Sequence, residues 1–255
     1  MREVSIRFGG ILALDKVTFD VDPGSIVGLI GPNGAGKTTM FNLISGLYKL
    51  DSGDLVFDGA TLLGTQPYAV VRRGIARTFQ NVELWPRMTV LDNVLTGYHS
   101  RYRTGGLHPL QAALGLPGTR RLERDARDRC LKLLAYLGLE DIAERPVRGL
   151  PFATLKLIEL ARGLASEPKL LLLDEPAGGL NHEEVERLAG LIKRVHKDNE
   201  LTLLLVEHHM NLVMRVSDRN VVLDFGRKIA EGTPEETRNN PRVIEAYLGT
   251  QNGAA

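Results

Sequence analysis

Residues Gly31-Pro32-Asn33-Gly34-Ala35-Gly36-Lys37-Thr38-Thr39 follow the spacing G-x-x-x-x-G-K-[ST]. That spacing suits a grip on a polyphosphate tail. Its glycines let successive backbone N–H groups curl around phosphate oxygens with no Cβ in the way. A helix starting behind the loop adds the partial positive charge of its N-terminus. Lys37 would reach the β- and γ-phosphates of a nucleoside triphosphate, and Thr38 would offer its hydroxyl to Mg²⁺. Asn33, Gly34, Ala35, Gly36 and Thr39 complete the cradle.

Two further segments end in groups that can act on such a tail. In Leu170-Leu171-Leu172-Leu173-Asp174-Glu175-Pro176, four leucines precede two adjacent carboxylates. Asp174 would hold Mg²⁺, directly or through water. Glu175, one residue on, points differently and can polarise an attacking water as general base. A solvated acidic turn is an equally good reading of this segment alone; the phosphate loop decides between them. In Leu203-Leu204-Leu205-Val206-Glu207-His208-His209, another apolar run ends in histidine. A histidine there could hydrogen-bond the γ-phosphate and orient Glu175, but spacing does not choose between His208 and His209.

These groups meet only if short buried strands deliver them to one sheet edge. Ile26–Ile30, Leu170–Leu173 and Leu201–Val206 are apolar on both faces, as central parallel strands are. Helical patterns separate them, over Lys37–Leu47, Thr154–Ala165 and Glu183–Lys197. Alternating strands and helices imply a parallel sheet with right-handed crossovers. Val4–Phe8, Val17–Val21 and Asp54–Phe57 read as N-terminal strands. Val221–Asp224 and Lys228–Ala230 flank Phe225-Gly226-Arg227 as a hairpin. Thr233-Pro234-Glu235-Glu236 is a helix start with a cap, a first-turn proline and a reciprocal glutamate.

From about Met88 to Leu150 the pattern is helical. Thr89 and Asp92 form a capping pair. Leu122, Ala126, Cys130, Leu133 and Leu137 recur on one helical face. Gly97–Thr119 reads as an exposed excursion. Its neighbouring Arg101, Arg103, Arg120 and Arg121 fit a solvated loop first, and lipid headgroups or a partner second.

Composition sets the outer bounds. Hydrophobic residues make up 43% and charged residues 25%, an ordinary globular balance. A formal net charge of +1 gives no basis for electrostatic binding of nucleic acid. Cys130 is the single cysteine and sits among leucines, so it reads as a small core residue rather than a nucleophile. The opening Met1–Ser5 has no apolar core, so no secretory leader is expected. Apolar runs are too short to span a bilayer, which leaves membrane involvement to a partner.

With the three sites in this order, the chain resembles the ABC transporter ATPases over nearly its whole length. The resemblance implies a P-loop NTPase core with a mainly parallel sheet, an N-terminal antiparallel β lobe and an inserted α-helical lobe. It divides one domain over 1–250 into a core (1–87 and 151–232), a helical lobe (88–150) and a C-terminal helical extension (233–250), with a disordered tail at 251–255. Thr78-Phe79-Gln80-Asn81 looks like the family's Q-loop, so Gln80 would touch Mg²⁺ and the water. Phe8 aligns with the aromatic that stacks on adenine. His208 takes the place of the switch histidine.

Arg7-Phe8-Gly9-Gly10, Arg77-Thr78-Phe79-Gln80-Asn81, Met88–Val94, Ala177-Gly178-Gly179-Leu180-Asn181 and Arg242–Gly249 are similar to the branched-chain amino acid (Liv-type) importers. The excursion after Asn93 looks like the larger of their two ATPase subunits. This implies ATP and Mg²⁺ as cofactors and a sister ATPase closing two ATP molecules into a sandwich. It also implies two membrane permeases, a solute-binding protein outside the membrane, and a place on its cytoplasmic face. Lipopolysaccharide export, amide or urea uptake, and a catalytically weak regulatory subunit stand as alternatives.

One loop departs from the pattern. The signature Leu-Ser-Gly-Gly-Gln, which acts across the dimer, is here Leu150-Pro151-Phe152-Ala153-Thr154. Ala153 replaces a glycine, and alanine is disfavoured if that position needs a positive φ. A weakened contact to the partner's ATP is therefore expected. Asn181, where many members have aspartate, resembles the Liv group.

Overall fold

In the computed structural model, residues 1–99 and 117–249 are described. The arginines at 101 and 103 and the tail at 251–255 lie outside them. The chain divides into two compact units: Met1–Gln80 with the chain from Lys169 onward, and Asn81–Pro168. The Phe152–Ala165 helix packs on the Val90–His99 and Pro117–Tyr136 helices, and so belongs with the helical unit.

In the first unit, eleven strands are seen among the described residues. The N-terminal strands β1 (Arg2–Phe8) and β2 (Ile11–Val17) form a hairpin that pairs Phe8 with Ile11. A Gly9-Gly10 turn joins them, and Gly9 has φ +56. The second strand thus starts well before the expected Val17: the two-glycine turn between apolar residues was its local signal. β4 (Ser52–Asp54) pairs antiparallel with β1. β5 (Val56–Phe57) and β6 (Ala60–Thr61) close across Asp58-Gly59.

The large sheet has the order β11-β10-β3-β9-β8-β7 among the described residues. β3 (Ile26–Ile30), β8 (Leu170–Asp174) and β9 (Thr202–Val206) are its central strands, and β3 and β8 are buried along their whole length. β7 (Ile75–Arg77) and β10 (Arg219–Asp224) flank them in parallel; β11 (Arg227–Gly232) returns antiparallel from β10. This places the C-terminal ends of β3, β7, β8 and β9 along one edge. Ligands of open α/β sheets bind at such an edge, where the strand order reverses. Helices Lys37–Ile44 and His182–Asn199 follow β3 and β8 in sequence. The second starts at a full capping box: Asn181 Oδ1 accepts from the Glu184 amide at 3.0 Å, and Glu184 Oε2 accepts from the Asn181 amide at 2.9 Å. Thr233 and Glu236 cap Pro234–Asn239 in the same reciprocal way, as their spacing predicts.

In the second unit the Thr89 hydroxyl accepts from the Asp92 amide at 3.0 Å, the expected helix start. The buried stripe of Pro117–Tyr136 is Ala126, Cys130 and Leu134, continued by Leu137 just past its end. Leu122 is 43% exposed and Leu133 only half-buried, so the stripe turns one residue away from the face expected. Burial pushes the Cys130 thiol up to about 11, which rules it out as a nucleophile at neutral pH.

Gly97 lets two helices approach closely here. A Cβ on it would lie 2.0 Å from the Arg162 carbonyl oxygen. Gly97→Ala must push the helices apart, and is expected to destabilise the fold by about 1–3 kcal/mol. Urea unfolding at unchanged m-value checks this; an unchanged midpoint would show that the helices have slack.

Candidate active site

The phosphate loop leaves β3 and enters the Lys37–Ile44 helix as its spacing predicts. Gly36 sits at the N-cap with φ +101, and a Cβ there would meet the Ala13 carbonyl at 2.8 Å. Only glycine suits both constraints. The loop is clasped from behind: the Gly226 amide donates to Ala35 O at 3.1 Å, and the Asp15 amide to Gly226 O at 2.8 Å. Lys37 Nζ is buried and donates to Gly31 O at 2.7 Å and Pro32 O at 2.8 Å. Burial pushes its ammonium pKa down, and the Glu175 and Asp174 carboxylates oppose that shift.

A cleft of about 310 Å³ opens over the loop, lined by Asn33 to Thr39, Glu175, Ile11, Leu12, Ala13 and Phe225. Phe8 is not among its lining residues. Its ring stands edge-on to Tyr48, with centroids 5.1 Å apart. The apolar end of the cleft is built from β2 and from Phe225, at the tip of the β10–β11 turn. Sequence reading missed these because their roles come from a register and a long-range approach.

Two other chain segments converge on the Glu175 carboxylate. Gln80 Nε2 donates to Glu175 Oε2 at 2.7 Å. His208 Nδ1 lies 3.7 Å from the same oxygen. Glu175 itself has φ +46, a left-handed conformation costly for a side-chain-bearing residue. Its amide donates to Val206 O at 2.9 Å, so the tips of β8 and β9 hold that bend. Of the two histidines, geometry brings His208 to the base, while His209 occupies the N-cap position of helix Met210–Val216.

Glu207, between the β9 strand and these histidines, is fully buried. Its Oε2 accepts from the His208 and His209 amides at 2.9 and 3.0 Å, and its Oε1 from the Ala177 amide at 2.7 Å. A charged residue closing an apolar strand was its signal in the sequence.

Asp174 is buried at the end of β8. Together with Thr38 and Gln80 it offers hard oxygen donors beside the phosphate loop. A single carboxylate with a hydroxyl and an amide suits Mg²⁺, which is usually held by few protein ligands plus substrate phosphates. No cluster of three or more acidic, histidine or cysteine side chains fit to cage a metal occurs among the described residues.

In the helical unit, Pro151 is the N-cap of Phe152–Ala165, with no side-chain cap bond. Ala153 lies in the first helical turn and is absent from the residues with positive φ. The condition under which alanine would be disfavoured here, a positive φ, is therefore not met, and alanine suits the helical backbone. Leu150 and Thr154 flank it, and the exposed Phe152 ring lies under Lys156 Nζ at 5.6 Å.

A phosphate loop at a sheet edge, with a neighbouring acid pair and a histidine, defines a P-loop nucleotide hydrolase. The family model "ABC transporter" matches residues 14–178. The chain belongs to that family and is an ATPase coupled to transport. The model "Branched-chain amino acid ATP-binding cassette transporter" matches residues 227–251. The chain is 43% identical over 244 residues to the high-affinity branched-chain amino acid transport ATP-binding protein LivG of Escherichia coli K12, covering 96% of this chain and 94% of LivG. It is 41% identical to BraF of Pseudomonas aeruginosa, of the same description, over 96% of this chain and 95% of BraF. Among solved structures it is similar to the ADP conformation of MJ1267, an ATP-binding cassette of an ABC transporter. There the TM-score is 0.83 at 28% identity, covering 97% of both chains. Among the described residues no helix is long and apolar enough to cross a membrane.

Proposed function

We propose that this chain is the ATP-hydrolysing subunit of an importer for branched-chain or other hydrophobic amino acids. Its likeness to LivG and BraF over nearly its whole length supports the substrate class, as does the C-terminal match. The observation that carries the chemistry is the Glu175 carboxylate, held at φ +46 and hydrogen-bonded by Gln80 at 2.7 Å, facing the cleft that Lys37 lines.

ATP lies with its phosphates on Gly31–Thr39. Glu175 takes a proton from the attacking water as its oxygen bonds to the γ-phosphorus, and the bond to the bridging oxygen breaks to release ADP. Gln80 and His208 hold Glu175 and that water. Lys37 turns from its loop carbonyls to the β- and γ-phosphates and takes up charge developing there. Thr38, Asp174 and Gln80 would hold Mg²⁺, which neutralises phosphate charge when bound. Each ATP is closed by the signature loop of a sister ATPase subunit, as the dimeric MJ0796 cassette bound to ADP and Pi suggests. Two permeases receive the motion at the cytoplasmic face of the membrane, and a solute-binding protein delivers cargo on the other side.

Leu150, Pro151, Phe152, Ala153 and Thr154 act across that dimer through the helix N-terminus. Ala153→Gly removes a methyl at the closest approach and is expected to tighten ATP-driven dimerisation by at least about 1 kcal/mol. An unchanged dimerisation constant means the methyl is harmless.

The test of the whole reading is co-purification with membrane subunits, followed by their identification and reconstitution in vesicles. ATPase activity should rise when leucine-loaded binding protein is added. A complex that hydrolyses ATP but ignores every branched-chain amino acid refutes the substrate class and leaves the ATPase standing.

A further inference from the structure

Arg77 is a buried cation that the chemistry above does not use. It ends β7, directly before the loop bearing Gln80. Its Nη2 donates to Asp174 Oδ2 at 2.6 Å, with both side chains more than nine-tenths buried. Its Nη1 donates to Asn42 Oδ1 at 2.7 Å and lies 3.4 Å from Ser45 Oγ. The Phe41 and Phe79 rings lie 5.6 and 5.3 Å from its Cζ. One guanidinium therefore touches the helix behind the phosphate loop, the acid at the tip of β8, and the neighbour of Gln80.

The chemistry of that contact is specific. A buried carboxylate with no partner is strongly unfavourable. A carboxylate also has about four lone-pair directions, so one oxygen can be held by arginine while the group keeps acceptor capacity for a metal or its water. Arginine's rigid planar fork fixes both ends at once, Asp174 on one side and Asn42 on the other; lysine is a compact point charge and fixes only one. The two flanking rings restrict the fork further.

We infer that Arg77 is a positioning residue that holds the Asp174 carboxylate in the orientation in which it meets Mg²⁺·nucleotide. This rests on the nucleotide reading of the cleft. Arg77 itself touches neither substrate nor metal. It acts through Asp174, and its anchor on Asn42 ties that orientation to the phosphate-loop helix.

The test compares binding of a fluorescent ATP analogue with Mg²⁺ and with EDTA, in the full chain and its variants. The parent gains affinity on adding Mg²⁺. Arg77→Gln should keep its EDTA affinity within about twofold while the Mg²⁺ gain falls at least tenfold. Arg77→Lys restores part of that gain. Asn42→Ala, which frees the far end of the fork and leaves its charge, lowers the gain severalfold and carries the test should Arg77→Gln not fold. An unchanged Mg²⁺ gain in these variants overturns the inference. An equal loss with and without Mg²⁺ also overturns it, because Arg77 would then support the cleft as a whole. A parent that binds no analogue even with Mg²⁺ is a different failure, which removes the nucleotide reading and this inference with it.

Discussion

Glu175→Gln gives a protein that binds ATP as the parent does and hydrolyses it about 10²–10⁴-fold more slowly. The amide is almost isosteric with the carboxylate, and its oxygen still accepts the 2.7 Å bond from Gln80. What it loses is the ability to take the proton of the attacking water. Because Glu175 lies beside the phosphate loop rather than in it, binding should not change. Equilibrium nucleotide binding and single-turnover hydrolysis, measured on one preparation, separate the two effects. Full turnover in Glu175→Gln would move the base elsewhere, with His208 next in line by distance.

Lys37→Ala shows the opposite split, a loss at the binding step itself. In the present structure the ammonium rests on two carbonyls of its own loop, so it is pre-placed at the mouth of the cradle. Exchanging those neutral acceptors for anionic phosphate oxygens sets opposite charges against each other at the mouth of the cradle, a stronger contact than an ammonium makes to a carbonyl. Removing a donor to a charged group costs about 1.5–3 kcal/mol, or about 10–10²-fold in affinity. The Kd for ATP should rise by that factor, with hydrolysis falling at least as far. The melting temperature in the absence of nucleotide should barely change, because a buried cation disfavoured by desolvation is removed along with its two bonds. Wild-type affinity in Lys37→Ala would refute the phosphate grip.

Much of this was readable from residue order. The three strands that carry the site are short, apolar on both faces and end in chemistry-bearing residues. Glycine spacing and buried-strand composition therefore pointed to Lys37, Asp174 and Glu175 and to a histidine at 208 or 209, and only the family resemblance chose His208. The helix starts at Thr89 and Thr233 were legible because caps are local. What was not legible depends on distance in sequence. Arg77 and Asp174 lie 97 positions apart, and nothing in Ile75-Ala76-Arg77 names its partner. The cleft lining of Ile11, Leu12 and Phe225 needs the hairpin register and the turn beside it. Whether Ala153 needs a positive φ was left open by its neighbours, and the helix that begins at Phe152 answers it with ordinary helical backbone.

Glu207 bears on how such a site can be switched. Its single carboxylate pins three amides, two from the stretch carrying His208 and one from Ala177, just past Glu175. Both strand tips are thereby riveted into one rigid jaw, so base and histidine travel as a unit and keep their spacing. The spacing of base and histidine is thus a property of the strand tips themselves rather than of whatever lies in the cleft.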